Sequence, residues 1–186
     1  MSHIMHFARK LIEDGALILD TETTGLSIED EIIEIAILNS AGDLLYNQGV
    51  KPSQPIPPEV TAIHGITDAD VENCPTWPDV WPIVRDWIAD RTIIAYNAPF
   101  DRDMLSNTCG KYPEEIEGAY VAPIGLKTRW VDLMSLWMSH IGSSRRISLA
   151  NACEHAGIKP GKHRAWSDAE AARQLLIYLS EEAKDV

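Results

Sequence analysis

The chain has 186 residues, enough for a single domain with one substantial core, and its 45% hydrophobic and 24% charged residues are the ordinary balance of a globular protein. No apolar run is long enough to span a membrane, and the first ten residues lack the apolar core of a secretory signal. The net charge of −12 excludes a generally basic nucleic-acid binder: a phosphate-bearing substrate would need bound cations or a local basic patch to offset the field.

In chain order, the opening MSHIMH is left out of the fold argument, and the chain is read as one domain over residues 1–186 with its core at about 16–180. Residues 16–20 read as a first buried strand ending in Asp20, with Glu22 two positions on and Gly25 closing the loop behind them. Residues 32–38, rich in Ile, read as a second strand, 39–43 as a turn, and 44–50 as a third strand, so the sheet opens as an antiparallel meander. Four prolines make residues 51–58 a loop. A short helix ends at His64-Gly65, and Thr67 begins another. Residues 76–90 carry Trp77, Trp81, Val84 and Ile88 at helical spacing, with Pro82 predicting a kink or a late start; these tryptophans are expected in the core.

Residues 92–96 read as a fourth strand, leading through Asn97-Ala98-Pro99 into a helix that stops near Gly110. Residues 112–126 are irregular. A short strand follows at 127–131, then a helix over 133–140 capped by Asp132, a helix over 148–156, and a loop over 161–165. Ser167 is expected to cap a final helix that buries Ala172, Leu175, Leu176 and Leu179. Three strands followed by alternating helices and strands predict an α/β mixed sheet flanked by helices. Cys74, Cys109 and Cys153 form no Cys-x-x-Cys pair, so reduced thiols in a cytoplasmic protein are expected rather than zinc or a disulfide framework.

A two-residue spacing keeps Asp20 and Glu22 on one face of a strand, where two carboxylates repel unless a cation or a proton lies between them. Asp101 and Asp168 fall in the first turns of predicted helices, and His163 lies in a loop five residues before Asp168. Each residue alone also reads as ordinary: solvated surface acids, carboxylates favoured by a helix dipole, a loop histidine. Together, four acids at strand ends and helix starts can converge at one sheet edge. Such a set can hold two divalent ions about 3.5–4 Å apart, with a histidine placed to take a proton from water. Hard oxygen ligands point to Mg²⁺ or Mn²⁺. Lys127, Arg129, Arg145, Arg146, Lys159, Lys162 and Arg164 group late in the chain as a candidate local basic patch.

Asp20-Thr21-Glu22-Thr23-Thr24-Gly25, Asn97-Ala98-Pro99-Phe100-Asp101 and His163-Arg164-Ala165-Trp166-Ser167-Asp168 resemble the three motifs of the DEDDh exonuclease family. The resemblance covers residues 16–179. Ile63-His64-Gly65-Ile66-Thr67 and Ser148-Leu149 are similar to segments of the branch that holds the proofreading epsilon subunit of bacterial DNA polymerase III. It implies a ribonuclease-H-like fold, an antiparallel meander followed by parallel strands. It also implies a metal-dependent 3′→5′ exonuclease that releases nucleoside monophosphates from single-stranded DNA. Asp20, Glu22, Asp101 and Asp168 would bind two metal ions, His163 would be the general base, and Thr23 and His64 would meet the substrate.

The alternatives are a 3′→5′ exoribonuclease, like ribonuclease T or oligoribonuclease, and a catalytically silent module that binds 3′ ends. Two assemblies stay open: a single copy with a protein partner, as epsilon-like members work, or a homodimer. The few residues after the last helix leave no room for the epsilon subunit's polymerase tether, and no clamp-docking peptide is evident.

Overall fold

The computed structural model describes residues 3–116 and 127–181, so most of the irregular stretch 112–126 lies outside the described residues. The elements run α1 (His3–Glu13), β1 (Leu17–Thr23), β2 (Ile32–Asn39), β3 (Leu44–Gly49), α2 (Pro58–His64), α3 (Asp68–Val71), α4 (Trp77–Ile88), β4 (Thr92–Ala95), α5 (Ala98–Gly110), β5 (Arg129–Asp132), α6 (Leu133–His140), α7 (Leu149–His155) and α8 (Ala165–Ser180). One sheet of order β3-β2-β1-β4-β5 organises them. β1, β2 and β3 pair antiparallel, while β4 lies parallel to β1 and β5 parallel to β4. This is the expected meander followed by parallel strands. β1 stands where the sheet changes from antiparallel to parallel, and in open α/β sheets the ends of strands at such a switch are where ligands bind.

Two apolar layers cover the sheet, and the two-residue period of each strand divides its side chains between them. Ile18, Ala36, Leu38 and Ile94 pack with α8, α1 and Trp137. Leu17, Leu19, Ile35, Ile37 and Ile93 pack with α4 and α5, around Trp77, Val84, Met104 and Leu105. Trp77 and Trp81 are core residues, as their spacing predicts, and Trp137 is buried too; Trp166 is 47% exposed.

Four local readings are corrected. The opening residues are not outside the fold: α1 buries Met5, Ala8 and Leu11 at a three-residue spacing and packs on α8, and Arg9 donates to the Ser180 carbonyl at 2.7 Å. α4 begins at Trp77 and runs through Pro82 rather than starting after it; Thr76 and Asp79 form a capping box that fixes the earlier start. Gly110 is the last residue of α5 and not the stop beyond it. Ser167 does not cap α8, which begins at Ala165 with Arg164 as its N-cap residue. The three cysteines are free. Among the described residues, no helix is long and apolar enough to cross a membrane.

Candidate active site

The alternation that sends Leu17 and Leu19 toward α5 also turns Thr21 that way. Ile18, Asp20 and Glu22 share the opposite face, toward α8. A bulge between Glu22 and Thr23 ends the regular pairing with β2. The loop beyond is built around Asp30, which accepts from the Thr24 hydroxyl at 3.0 Å and the Ser27 N–H at 2.7 Å. Gly25 leaves room for that side chain: a Cβ there would stand 2.5 Å from the Asp30 carboxylate, which would have to shift. The Thr23 hydroxyl donates to the Gly25 carbonyl at 2.6 Å.

Asp101 arrives from the other face. β4 ends beside β1, Asn97 turns the chain in the left-handed region (φ 68°), and α5 starts at Ala98. Asp132, at the end of β5, accepts from the backbone N–H groups of Asn97 and Ala98 at 3.0 and 3.3 Å and so caps α5 from a neighbouring strand. Asp101 is 2% exposed and accepts from the Thr21 hydroxyl at 2.8 Å.

Asp168 lies on the first turn of α8. Its Oδ1 accepts from the His163 N–H and the Ser167 hydroxyl, each at 3.2 Å. Ser167 in turn accepts from the Lys162 N–H at 2.9 Å, so its role is to brace the preceding loop. His163 has φ 52°, and its exposed ring sets Nδ1 3.9 Å from Asp168 Oδ2. Gly161 passes so close that a Cβ there would fall 1.7 Å from Asp168 Oδ1.

These elements bring Asp20, Glu22 and Asp168 together, with one ligand oxygen from each within 4.8 Å of the others. Asp101 is not part of that triplet, because its carboxylate is turned to Thr21, but its charge still acts on Asp20. His64, at the end of α2, is 5% exposed. Its Nδ1 accepts from the Ile66 N–H at 3.0 Å, which assigns the ring proton to Nε2, and that buried Nε2 lies beside the Thr23 backbone without a well-formed hydrogen bond. Burial holds the His64 pKa down, while the neighbouring Thr23 backbone and Glu34 favour the proton. Of the basic residues, Arg164 pairs with Glu34 and Arg146 donates to Asn97 Oδ1 at 2.8 Å.

All four acids hold their protons more tightly than free carboxyls. Burial pushes Asp20 well above the ordinary range, and the charges of Asp101, Asp168, Glu22 and Glu34 add to it. Glu22 is pushed up to about 8, first by burial and then by Asp168 and Glu34. Burial raises Asp101 against the pull of the Thr21 hydroxyl, and raises Asp168 against His163 and Ser167. Clustered carboxylates that resist ionisation are the electrostatic mark of a site suited to bound cations. The donor set is all oxygen and fits Mg²⁺ or Mn²⁺.

Sequence reasoning missed Thr21, Glu34, Asp132 and Gly161. Only Glu34 left a signal: a charged residue inside an otherwise apolar strand is buried only when paired.

The chain matches the RNase T family, described as exonuclease, over residues 17–176. It is 38% identical over 181 residues to the uncharacterized exonuclease CP81 of Escherichia phage 186, covering 93% of this chain and 92% of that one. It is 30% identical over 182 residues to the PolC-type DNA polymerase III of Bacillus subtilis, covering 95% of this chain but 12% of the polymerase. Among solved structures it resembles Exonuclease X in complex with 5′-overhanging duplex DNA, at TM-score 0.65 and 28% identity, over 88% of this chain and 90% of that one.

Proposed function

The chain belongs to the RNase T exonuclease family, and from that premise we propose that it is a divalent-metal-dependent 3′→5′ exonuclease acting on single-stranded DNA. The observation that carries this reading is the convergence of Asp20, Glu22 and Asp168, with His163 beside Asp168. These three acids, with Asp101 from across β1, would hold two Mg²⁺ or Mn²⁺ ions. When bound, the ions supply Lewis-acid stabilisation of the scissile phosphate and the leaving oxygen, and they ease deprotonation of the attacking water.

His163 takes that proton. Its Nδ1 side faces Asp168, which leaves Nε2 as the acceptor and gives the resulting imidazolium a charge partner. The water oxygen bonds to phosphorus as the bond to the 3′-oxygen of the penultimate nucleotide breaks. The terminal nucleotide leaves with its 5′-phosphate, and the shortened strand keeps a 3′-hydroxyl.

Thr23, at the bulge that ends β1, and His64 line the path of the terminal nucleotide. The Nε2–H of His64, which makes no well-formed hydrogen bond beside the Thr23 backbone, would find an acceptor there. The choice of DNA draws on the PolC-type polymerases and on Exonuclease X, seen with DNA.

The test is cleavage of 5′-labelled single-stranded DNA and RNA of one sequence with Mg²⁺, Mn²⁺ or EDTA, beside Asp20→Ala. A metal-dependent ladder that shortens from the 3′ end, faster on DNA and absent in the variant, is expected. Faster cleavage of RNA would reassign the substrate; no metal-dependent cleavage of either strand would overturn the reading.

A further inference from the structure

We propose that Glu34, acting through Arg164, is the positioning residue that holds His163 in its working orientation. The inference rests on the general-base reading of His163 and adds to it a carboxylate outside the converging set.

Glu34 stands on β2 directly opposite Glu22, on the face toward α8, and is 5% exposed. A further acid at that place adds to the repulsion among the others, so its buried charge needs both oxygens engaged by donors. Both are. Arg164 donates Nε and Nη2 to them at 2.5–3.2 Å, and the Ala165 N–H donates to Oε2 at 2.8 Å. Ala165 is the first residue of α8, so Glu34 satisfies a helix-start donor from 131 residues away in sequence. A bidentate guanidinium–carboxylate pair fixes direction as well as distance, which a single hydrogen bond does not.

His163 needs such a hold. Its side chain is 62% exposed, and its backbone sits in the left-handed region at φ 52°, unfavourable for a residue with a Cβ. A strained residue keeps that conformation only where its neighbours over-determine it. On one side His163 is tied by its own N–H to Asp168. On the other, the two residues that follow it are both tied to Glu34. Glu34 thus sets the direction from which the imidazole approaches the acids, and touches neither substrate nor metal.

The experiment is a double-mutant cycle of Glu34→Ala, His163→Ala and the pair, measured on labelled single-stranded DNA with saturating Mn²⁺. His163→Ala alone reports on the base reading: cleavage at the wild-type rate would remove that reading, and this inference with it. Where His163→Ala is impaired, Glu34→Ala in the wild-type background should lower kcat by about 10²-fold, the scale of a misplaced catalytic group. KM should stay within about threefold. Once His163 is gone, the same change should cost less than about threefold further, since nothing is left to orient.

An equal loss in both backgrounds would overturn the inference alone, because Glu34 would then serve the fold or the acids rather than His163. An unchanged kcat would overturn it too. If circular dichroism finds Glu34→Ala unfolded, Glu34→Gln and Arg164→Lys, which keep hydrogen bonding but lose the charged fork, go through the same cycle with the same non-additivity expected. Calorimetric Mn²⁺ affinity of Glu34→Gln should stay within about threefold; a fall of about tenfold would make Glu34 a ligand and overturn the assignment.

Discussion

The Thr21 hydroxyl donates to the Asp101 carboxylate at 2.8 Å and so ties the strand of the first two acids to the helix of the third. That bond favours the charged form of a buried acid. Thr21→Val keeps the shape and removes the donor, and an unpaired buried carboxylate is costly enough that Asp101 should take up a proton instead. The expected result is about tenfold weaker Mn²⁺ binding at pH 7, with the deficit narrowing toward pH 9 and Thr21→Ser close to wild type. Titration calorimetry at the two pH values checks it; a deficit that does not change with pH would refute the explanation.

Glu22 has an ordinary value of 4.5 and is pushed up to about 8 in the folded, metal-free site; Asp20, Asp101 and Asp168 are raised with it. For an acid raised on folding, the folded state binds the proton more tightly. Its contribution to stability is therefore full below pH 4.5 and disappears as the pH climbs through about 8. Melting temperature in EDTA should fall between pH 5 and pH 9, and Mg²⁺ or Mn²⁺ should restore it most at the alkaline end. At this chain length each kcal/mol corresponds to about 2–4 °C. A melting curve in EDTA that is flat across this range would contradict the electrostatics.

Activity and stability should move in opposite directions at Asp20. Asp20→Asn removes a charge that the neighbouring acids oppose, so the metal-free protein should melt higher than wild type at pH 8 and its pH slope should flatten. The same substitution removes a proposed metal ligand and should lower cleavage by at least about 10³-fold. Scanning calorimetry paired with the oligonucleotide assay tests both halves; a variant that is both less stable and inactive would point to misfolding instead.

Gly161→Ala should disable the site from a position that takes no part in the chemistry. The added Cβ would fall 1.7 Å from Asp168 Oδ1 and 3.0 Å from the Asp168 Cα, and relief at the second contact requires the backbone to move. Loss of activity of about 10²-fold or more is expected, with weakened Mn²⁺ binding and a circular dichroism spectrum close to wild type. Wild-type metal affinity in this variant would show that the loop yields without disturbing Asp168.

Much of this arrangement was legible in one dimension because the deciding forces are local. The Ile-rich run of β2, the turn at Asn39–Asp43 seen as an Asn39 Oδ1 bond from the Asp43 N–H, and the Ser148 cap of α7 each involve residues a few positions apart. Ser167 misled for the complementary reason. A serine near a helix start is a sound local cap, yet the donor at that helix start is met by Glu34 from a distant strand, which frees Ser167 to brace the loop. Asp132 was read as the cap of the helix that follows it; it stands at that N-cap position, but its side chain makes no cap bond to α6 and instead caps α5 through Asn97 and Ala98. α1 escaped because the opening residues were set aside, although Ile4, Met5, Phe7, Ala8, Leu11 and Ile12 recur at helical spacing and pack in the core beside α8.

The order in which the acids occur along the chain has a consequence for biosynthesis. Asp20 and Glu22 leave the ribosome early, on the central strand, whereas Asp168 and the loop bearing His163 belong to the last helix and the residues just before it. A growing chain that has not yet extended past residue 168 can pair its strands but lacks the third of the three converging acids. The converging set is therefore completed only when α8 has been made and has docked on the sheet.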